Sequence, residues 1–455
     1  MLDRHQTRRA QSTVACFLAV TVLVALITRW FDLSISTGLL QRTLHLQDSP
    51  LLYSSEFDCS LNCSDIALPT SEISDPSAPA CPEYFRWIHE DLKPWKESGI
   101  TREMVEKAKN LSHIRITIVN GRLYTQKFKE VYETRDVVTI WGLLQLLRLY
   151  PGRIPDLDFM FACNDRTVVP KRDYSSPNAS IPPPVFHYCG EETSYDIVFP
   201  DWSFWGWPEV NIKPWEEQKE ELKEATERIK WKDREPYAFW KGNTKLGPAR
   251  RDLVTCNVSN GQDWKARIFD MEWSKEKKKG FNTSNLSSQC TYSQKYILAC
   301  DSMTLVVKPH YYDFFSRNLV PTIHYWPIKE QNKCSAIKFA AQEIGKAGSQ
   351  FVQEQLKMQN IYDYCFHVLN EYAKLLKYKP TVPEGSVETC SETLICSVKG
   401  QKRRFRKHSM VKNPSDTLPC ALPDPYDPAE LRAFIEEKEN LKRKVILWES
   451  SQTTT

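Results

Sequence analysis

Two apolar rhythms run through this chain. Ile114 to Asn120 (IRITIVN) and Leu157 to Cys163 (LDFMFAC) are short apolar runs with the length of strands. The second is continuous, which predicts a strand buried on both faces. Gly121 turns the chain, so Leu123 to Val131 is read as a hairpin partner. Helical spacing covers Tyr84 to Leu92, then Thr101 to Leu111 with Thr101 as N-cap, and Asp136 to Tyr150, an amphipathic helix ended by Pro151-Gly152. The second half repeats the alternation. Glu216 to Lys232 reads as a charged helix, Tyr237 to Trp240 as a strand, Arg250 to Asn257 as a helix and Thr304 to Lys308 as a strand. Lys295 to Cys300 leads into that last strand. Tyr312 to Asn318 follows as a short helix, Val320 to Tyr325 as a strand and Gln350 to Leu376 as one or two helices. Alternation of this kind predicts an α/β fold with parallel strands, and 455 residues suggest two lobes rather than one.

The N-terminus breaks the pattern. Arg4, Arg8 and Arg9 precede an apolar run from Val14 to Ile27, followed by Arg29, Trp30 and Phe31. Without a small-residue cleavage site after the run, a signal anchor is expected over 12–33, with a cytosolic tail at 1–11. Residues 34–80 are rich in Ser, Leu and Pro and read as a stem. Six N-x-Ser/Thr sequons, at Asn62, Asn110, Asn178, Asn257, Asn282 and Asn285, agree with a lumenal body. So do 14 cysteines, all but Cys16 beyond the anchor, which read as disulfides of unassigned pairing. Cys163 and Cys189 flank one loop among them. A net charge of +4 is too weak to argue for nucleic acid, and the basic run Lys402, Arg403, Arg404, Arg406, Lys407 reads as a solvated loop.

The densest chemical signal is Asp196 to Trp215, DIVFPDWSFWGWPEVNIKPW. Flat aromatic rings beside polar groups suit stacking on a sugar; an aromatic corner of a core is the competing reading. Asp165 directly follows the buried run 157–163, where α/β sheets bind ligands, and a carboxylate there can take a proton from a hydroxyl. Its plain alternative is a turn or an ion pair with Arg166. Lys241-Gly242-Asn243-Thr244 reads as a strand-to-helix turn able to meet phosphate, with Arg250 adding charge. Asp301, Ser302 and Lys308 could face a nucleotide sugar, though capping explains the first two equally well. A Walker A loop and a metal-holding DxD are both absent; in Asp156-Leu157-Asp158, the second Asp begins the buried strand.

Six blocks carry a resemblance: CPEYFRWIHEDLKPWKESGITREMVEKA, IVNGRLY, TRDVVTIWGLLQLLRLYPGRIPDLDFMFACNDR, DIVFPDWSFWGWPEVNIKPW, REPYAFWKGN and KYILACDSMTLVVKPHYYDFFSRNLVPTIHYWPIK. Over about Cys81 to Leu447 the chain resembles the plant Rumi-like protein O-glucosyltransferases of glycosyltransferase family 90. The resemblance implies a GT-B fold of two Rossmann-like lobes with a cleft between them. The N-terminal, acceptor-side lobe would span 81–232, the C-terminal, donor-side lobe 233–389, and a C-terminal tail 390–455. It implies metal-independent, inverting transfer of glucose or xylose from a UDP-sugar to a hydroxyl of a protein or glycan, in the Golgi or endoplasmic reticulum membrane. Asp165 would be the catalytic base. Lys241, Gly242, Asn243 and Arg250 would meet the donor diphosphate, and Trp202, Phe204 and Trp205 would line the sugar and acceptor side.

Two departures stand out. Between Gln289-Cys290-Thr291 and Lys295-Tyr296 the chain lacks a family segment of a dozen residues or more, which there supplies a strand and a turn. Cys334 to Gly345 joins what a further insert separates. Loss of a strand predicts a gap in the donor-side sheet. It keeps open an alternative, an inactive member acting as a lumenal binding protein.

Overall fold

The computed structural model describes residues 63, 78–176, 179–229, 233–235, 237–259, 261–272, 294–307, 309–331, 333–340 and 347–452. The expected anchor, tail and all but four residues of the stem fall outside that set, as does Lys308. Among the described residues, no helix is long and apolar enough to cross a membrane. All of them belong to one compact unit, Asp58–Thr455.

The chain enters through α1 (Trp87–Leu92) and α2 (Arg102–Ala108), and Thr101 caps α2 by accepting from the Met104 N–H at 3.4 Å. The expected hairpin follows. Strands β1 (Ile114–Val119) and β2 (Arg122–Lys127) pair antiparallel, with Val119 opposite Arg122. Asn120 and Gly121 take positive φ, 52° and 71°, as a two-residue turn matched to strand twist requires.

Helix α3 (Arg135–Leu149) differs from the amphipathic reading. Twelve of its 15 residues are buried, Gln145 and Thr139 included. The polar ones find partners inside: Gln145 bonds Ser391 and the Val411 N–H, and Thr139 bonds the Arg135 carbonyl and Tyr188. A helix enclosed all round needs no polar face. Gly142 makes this possible, since a Cβ there would sit 2.5 Å from the Trp205 ring.

Strand β3 (Leu157–Ala162) is buried at every position, as its continuous apolar run predicts. With β4 (Val185–His187) and β5 (Ile197–Val198) it runs parallel, but it meets β1 antiparallel. The central sheet, in the order β10 (Val387–Thr389), β2, β1, β3, β4, β5, is therefore mixed, and the all-parallel expectation is corrected. Its outer strand β10 pairs antiparallel with β2.

Helix α4 (Trp215–Arg228) leads to the second half. There β6 (Ala238–Gly242), α5 (Pro248–Leu253) and β7 (Ala266–Asp270) form a parallel strand–helix–strand unit. The short α6 (Gln294–Leu298) precedes β8 (Leu305–Val307), which pairs parallel with β9 (Trp326–Ile328). The last strand lies just beyond the expected 320–325, because Pro321 and Tyr325 form only an isolated bridge. Among the described residues β6-β7 and β8-β9 are separate two-stranded sheets. Both rest on one core with Leu253, Ala266, Ile268, Trp326, Ile328 and α7 (Lys333–Ala340).

The remaining helices are α8 (Ala347–Gln355), α9 (Met358–Leu375), α10 (Ser391–Cys396), α11 (Gly400–His408) and α12 (Pro428–Gln452). The segment after 390 is folded against the body. Glu430 of α12 pairs with Arg86, Lys438 donates to the Arg317 carbonyl, and Val445 enters the second-half core. Disulfides join Cys63 to Cys390, Cys81 to Cys420 and Cys256 to Cys334. Cys163 and Cys189, read as disulfide candidates, are free thiols. Burial pushes each up to about 12, so both stay protonated at neutral pH.

Candidate active site

Asp165 stands where β3 ends. Its side chain is 80% exposed, while Arg135, which opens α3, is only 7% exposed. The Arg135 Nη1 donates to Asp165 Oδ1 at 2.6 Å. The plain alternative gives Asp165 a turn or an ion pair with Arg166; its ion pair is made with Arg135, 30 residues earlier in sequence. One carboxylate oxygen is held from below and the rest of the group faces solvent.

The aromatic loop builds the wall behind this pair. Asp201 caps a single 3-10 turn, Trp202–Trp205, by accepting from the Ser203 N–H at 2.7 Å. Gly206 ends it at φ +107°, a conformation closed to most side chains. Trp202 lies under the Arg135 guanidinium, 4.3 Å from the ring centre, and meets Trp207 edge-on at 5.2 Å. Trp207 Nε1 donates to Glu133 at 2.6 Å. Burial raises the Glu133 carboxyl above its ordinary value, against the lowering pull of Trp207 and Arg135. Thr134 donates to Glu209 at 2.8 Å, and Lys402 of α11 pairs with the same Glu209 oxygen at 3.1 Å. Two enclosed donors, Arg135 Nε and Trp202 Nε1, have no hydrogen-bond partner.

The three aromatics chosen from sequence separate here. Trp202 touches the Arg135–Asp165 pair. Trp205 packs against Gly142 and donates to Tyr362 at 3.0 Å, deep in the core. Phe204 is also buried, edge-on to Trp215 and Phe314. Missed from sequence were Glu133 and Arg135; Trp207 and Glu209 lie within the aromatic stretch already singled out. A charged Thr-Arg-Asp at the start of a long apolar helix was the available signal for Arg135.

Of the expected donor residues, Lys241 and Gly242 end β6, Asn243 follows it and Arg250 lies in α5. Gly242 ends the strand against the Trp240 ring, and Asn243 accepts from the Lys245 N–H at 2.9 Å. Thr244 donates twice to Asp270 at the end of β7, which fixes the turn. Lys241 is half-buried and Arg250 exposed. Asp301, at φ +46°, and Ser302 are tied to Arg234, whose Nη1 donates to the Ser302 hydroxyl at 2.6 Å. Asp301 and Phe204 line one cavity of about 840 Å³ with Lys219, Met358 and Tyr362; Asp165 is not part of its lining. Asp158 of the Asp156-Leu157-Asp158 run is fully buried and bound by Arg115 through two contacts of 2.7 Å. Among the described residues one grouping offers metal-type donors: Cys81, His367 and Cys420. Its two sulfurs are joined as a disulfide.

Residues 76–449 match the sequence profile of Glycosyl transferase family 90. The chain is 27% identical over 350 residues to Protein O-glucosyltransferase 1 of Homo sapiens, covering 68% of this chain and 84% of that protein. It is 26% identical over 348 residues to the Bos taurus protein of the same name, with the same coverage. Identity to O-glucosyltransferase rumi of Drosophila melanogaster is 26% over 350 residues, covering 67% and 80%. A profile match over most of the length, joined to a mixed α/β body, makes the assignment: the chain belongs to glycosyltransferase family 90 and is a glycosyltransferase.

Proposed function

We propose that the chain transfers glucose or xylose from a UDP-sugar to a hydroxyl of a protein acceptor, with inversion and with Asp165 as general base. The observation that carries this reading is the Asp165 carboxylate itself. It is exposed at the C-terminal end of a wholly buried strand, with one oxygen bound by a buried arginine. That arrangement fixes the base while leaving it open to an incoming hydroxyl. In the step, the acceptor oxygen attacks the anomeric carbon and its proton passes to Asp165. The bond from the anomeric carbon to the phosphate oxygen breaks, and UDP leaves with the electron pair.

The donor side is assigned to Lys241, Gly242, Asn243, Arg250, Asp301, Ser302 and Lys308 in a GT-B arrangement. The parallel β6–α5–β7 unit supports this, because a loop after a parallel strand offers backbone N–H groups to phosphate. Trp202 is assigned to the acceptor side. The metal-free character of the reaction rests on the family resemblance alone. A type II anchor at 12–33 in the Golgi or endoplasmic reticulum membrane completes the proposal, and three disulfides in the described residues favour an oxidising lumen.

Calorimetry with UDP on the full chain in detergent comes first, followed by transfer assays with UDP-glucose and UDP-xylose. Asp165→Asn is expected to keep UDP affinity and to lose transfer by about 10²–10⁴-fold, the usual worth of a general base. Unchanged turnover would overturn the base assignment. A folded sample that does not bind UDP would overturn the donor reading.

A further inference from the structure

The basic run near the C-terminus is not a solvated loop. It is helix α11, and it is docked on the rim of the candidate active site. Phe405 is buried on the Gly206 turn, where a Cβ on that glycine would lie 3.0 Å from its ring. Trp141 Nε1 donates to Ser409 just beyond the helix at 2.9 Å, and Gln401 donates to Asn211. A direct chain of contacts leads back to the reacting group. Lys402 pairs with Glu209, Glu209 accepts from Thr134, and the next residue, Arg135, holds Asp165.

The helix carries far more positive charge than its neighbours neutralise. Lys402 is paired with Glu209 and His408 with Glu217. Arg406 is buried and donates to the Leu394 carbonyl; burial lowers it to about 10. Arg403 Nε is enclosed without a hydrogen-bond partner. Lys399, Arg404, Lys407 and Lys412 are exposed and take part in no ion pair within the described residues. Basic groups in the last turn of a helix gain from its dipole, which accounts for Arg406, Lys407 and His408. The dipole does not account for Lys399 at the other end, where positive charge is unfavourable.

We propose that α11 is an acceptor-docking surface that binds an acidic stretch of the protein acceptor beside the hydroxyl to be glycosylated. This rests on the acceptor class proposed above. A patch of exposed cations on a helix docked against the wall of the Asp165 site offsets the repulsion that an acidic substrate would meet at Asp165 and Glu133. It also steers that substrate to the site.

The test uses fluorescein-labelled poly-L-glutamate as probe, with the full chain in detergent and no UDP present. Anisotropy is read from low to near-physiological salt. Saturable binding that weakens as salt rises is expected. The triple variant Lys399→Glu, Arg404→Glu, Lys407→Glu is expected to lose at least about tenfold in affinity, since short-range attraction becomes repulsion. A control triple with the same charge change, Lys96→Glu, Lys107→Glu, Lys379→Glu, is expected to bind within about twofold of the wild type. Equal loss in both triples would reduce the effect to net charge and overturn the proposal. Absence of binding at low salt would also overturn it, as would polygalacturonate displacing poly-L-glutamate at far lower concentration. Because UDP is absent, the result does not depend on whether the donor reading holds.

Discussion

Lys295 is wholly enclosed, and its ammonium meets both carboxylate oxygens of Asp201, at 3.1 and 2.8 Å. The Ser203 hydroxyl lies 2.6 Å away and the Phe204 ring centre 4.0 Å away. Burial lowers the lysine from its ordinary range and Asp201 opposes that shift. This pair pins α6 to the turn that carries Trp202. Lys295→Met is expected to destabilise the fold by about 1–3 kcal/mol, because the half-buried Asp201 carboxylate loses its charged partner and keeps only its bonds from Ser203. Urea unfolding would measure it, and a loss below 1 kcal/mol would count against a buried ionic tie.

Gly142 inverts a common expectation. Glycine inside a helix normally costs about 1 kcal/mol against alanine, so Gly142→Ala should stabilise on propensity alone. The Trp205 ring, 2.5 Å from where the methyl carbon would go, decides otherwise. Overpacking of about 1–3 kcal/mol wins, and the variant is expected to unfold at lower urea concentration. A rise in the urea midpoint would mean that Trp205 moves aside freely.

Asp313 is half-buried, and desolvation raises its carboxyl from 3.8 to about 6, with Asp201 raising it further and Ser316 and Lys295 acting against the shift. A raised carboxyl stabilises the fold while protonated. That contribution is complete below about pH 3.8 and is lost as pH rises through 6. Asp313→Asn removes the titration and keeps an oxygen for the Ser316 N–H. The variant should gain on the wild type by on the order of 1–3 kcal/mol between pH 4 and 6 and hold that difference above pH 7. Thermal unfolding across that range checks it; a pH-independent difference would reject the cause.

Arg135 touches Asp165 but, in the proposed reaction, no substrate atom, so it acts by positioning. Arg135→Gln is expected to lower kcat by about 10–100-fold, the usual cost of misplacing a reacting group, with little change in KM for the UDP-sugar. Steady-state kinetics separate the two. A rise in donor KM at constant kcat would place Arg135 in donor binding instead.

Local features were readable from sequence and long-range ones were not. The buried strand of Asp165, the Asn120-Gly121 hairpin and the Thr101 cap each depend on neighbours within a few residues. The antiparallel seat of β1 beside β3 depends on pairing across some forty positions, and the addition of β10 on some 260. Period alone does not encode those partners. For the same reason Asp165 was readable as a candidate while Arg135, its partner, was not. Phe204 and Trp205 belong to the core because α3, α4 and α9 close around them, which composition cannot reveal.

The two ends of the described fold are stitched together. Ala80 bridges Ala421, and Cys81 is joined to Cys420 across a separation of 339 residues. At roughly 5–20 residues per second, synthesis delivers Cys420 some 20–70 s after Cys81. For most of that interval β2 waits with an open edge, because β10 has not yet been made. Cys81 waits as a reduced thiol among earlier cysteines that are ready to pair with it wrongly. Correct oxidation of this protein is therefore a late event in its biosynthesis, and its yield depends on how well an unfinished sheet is shielded until the last helices arrive.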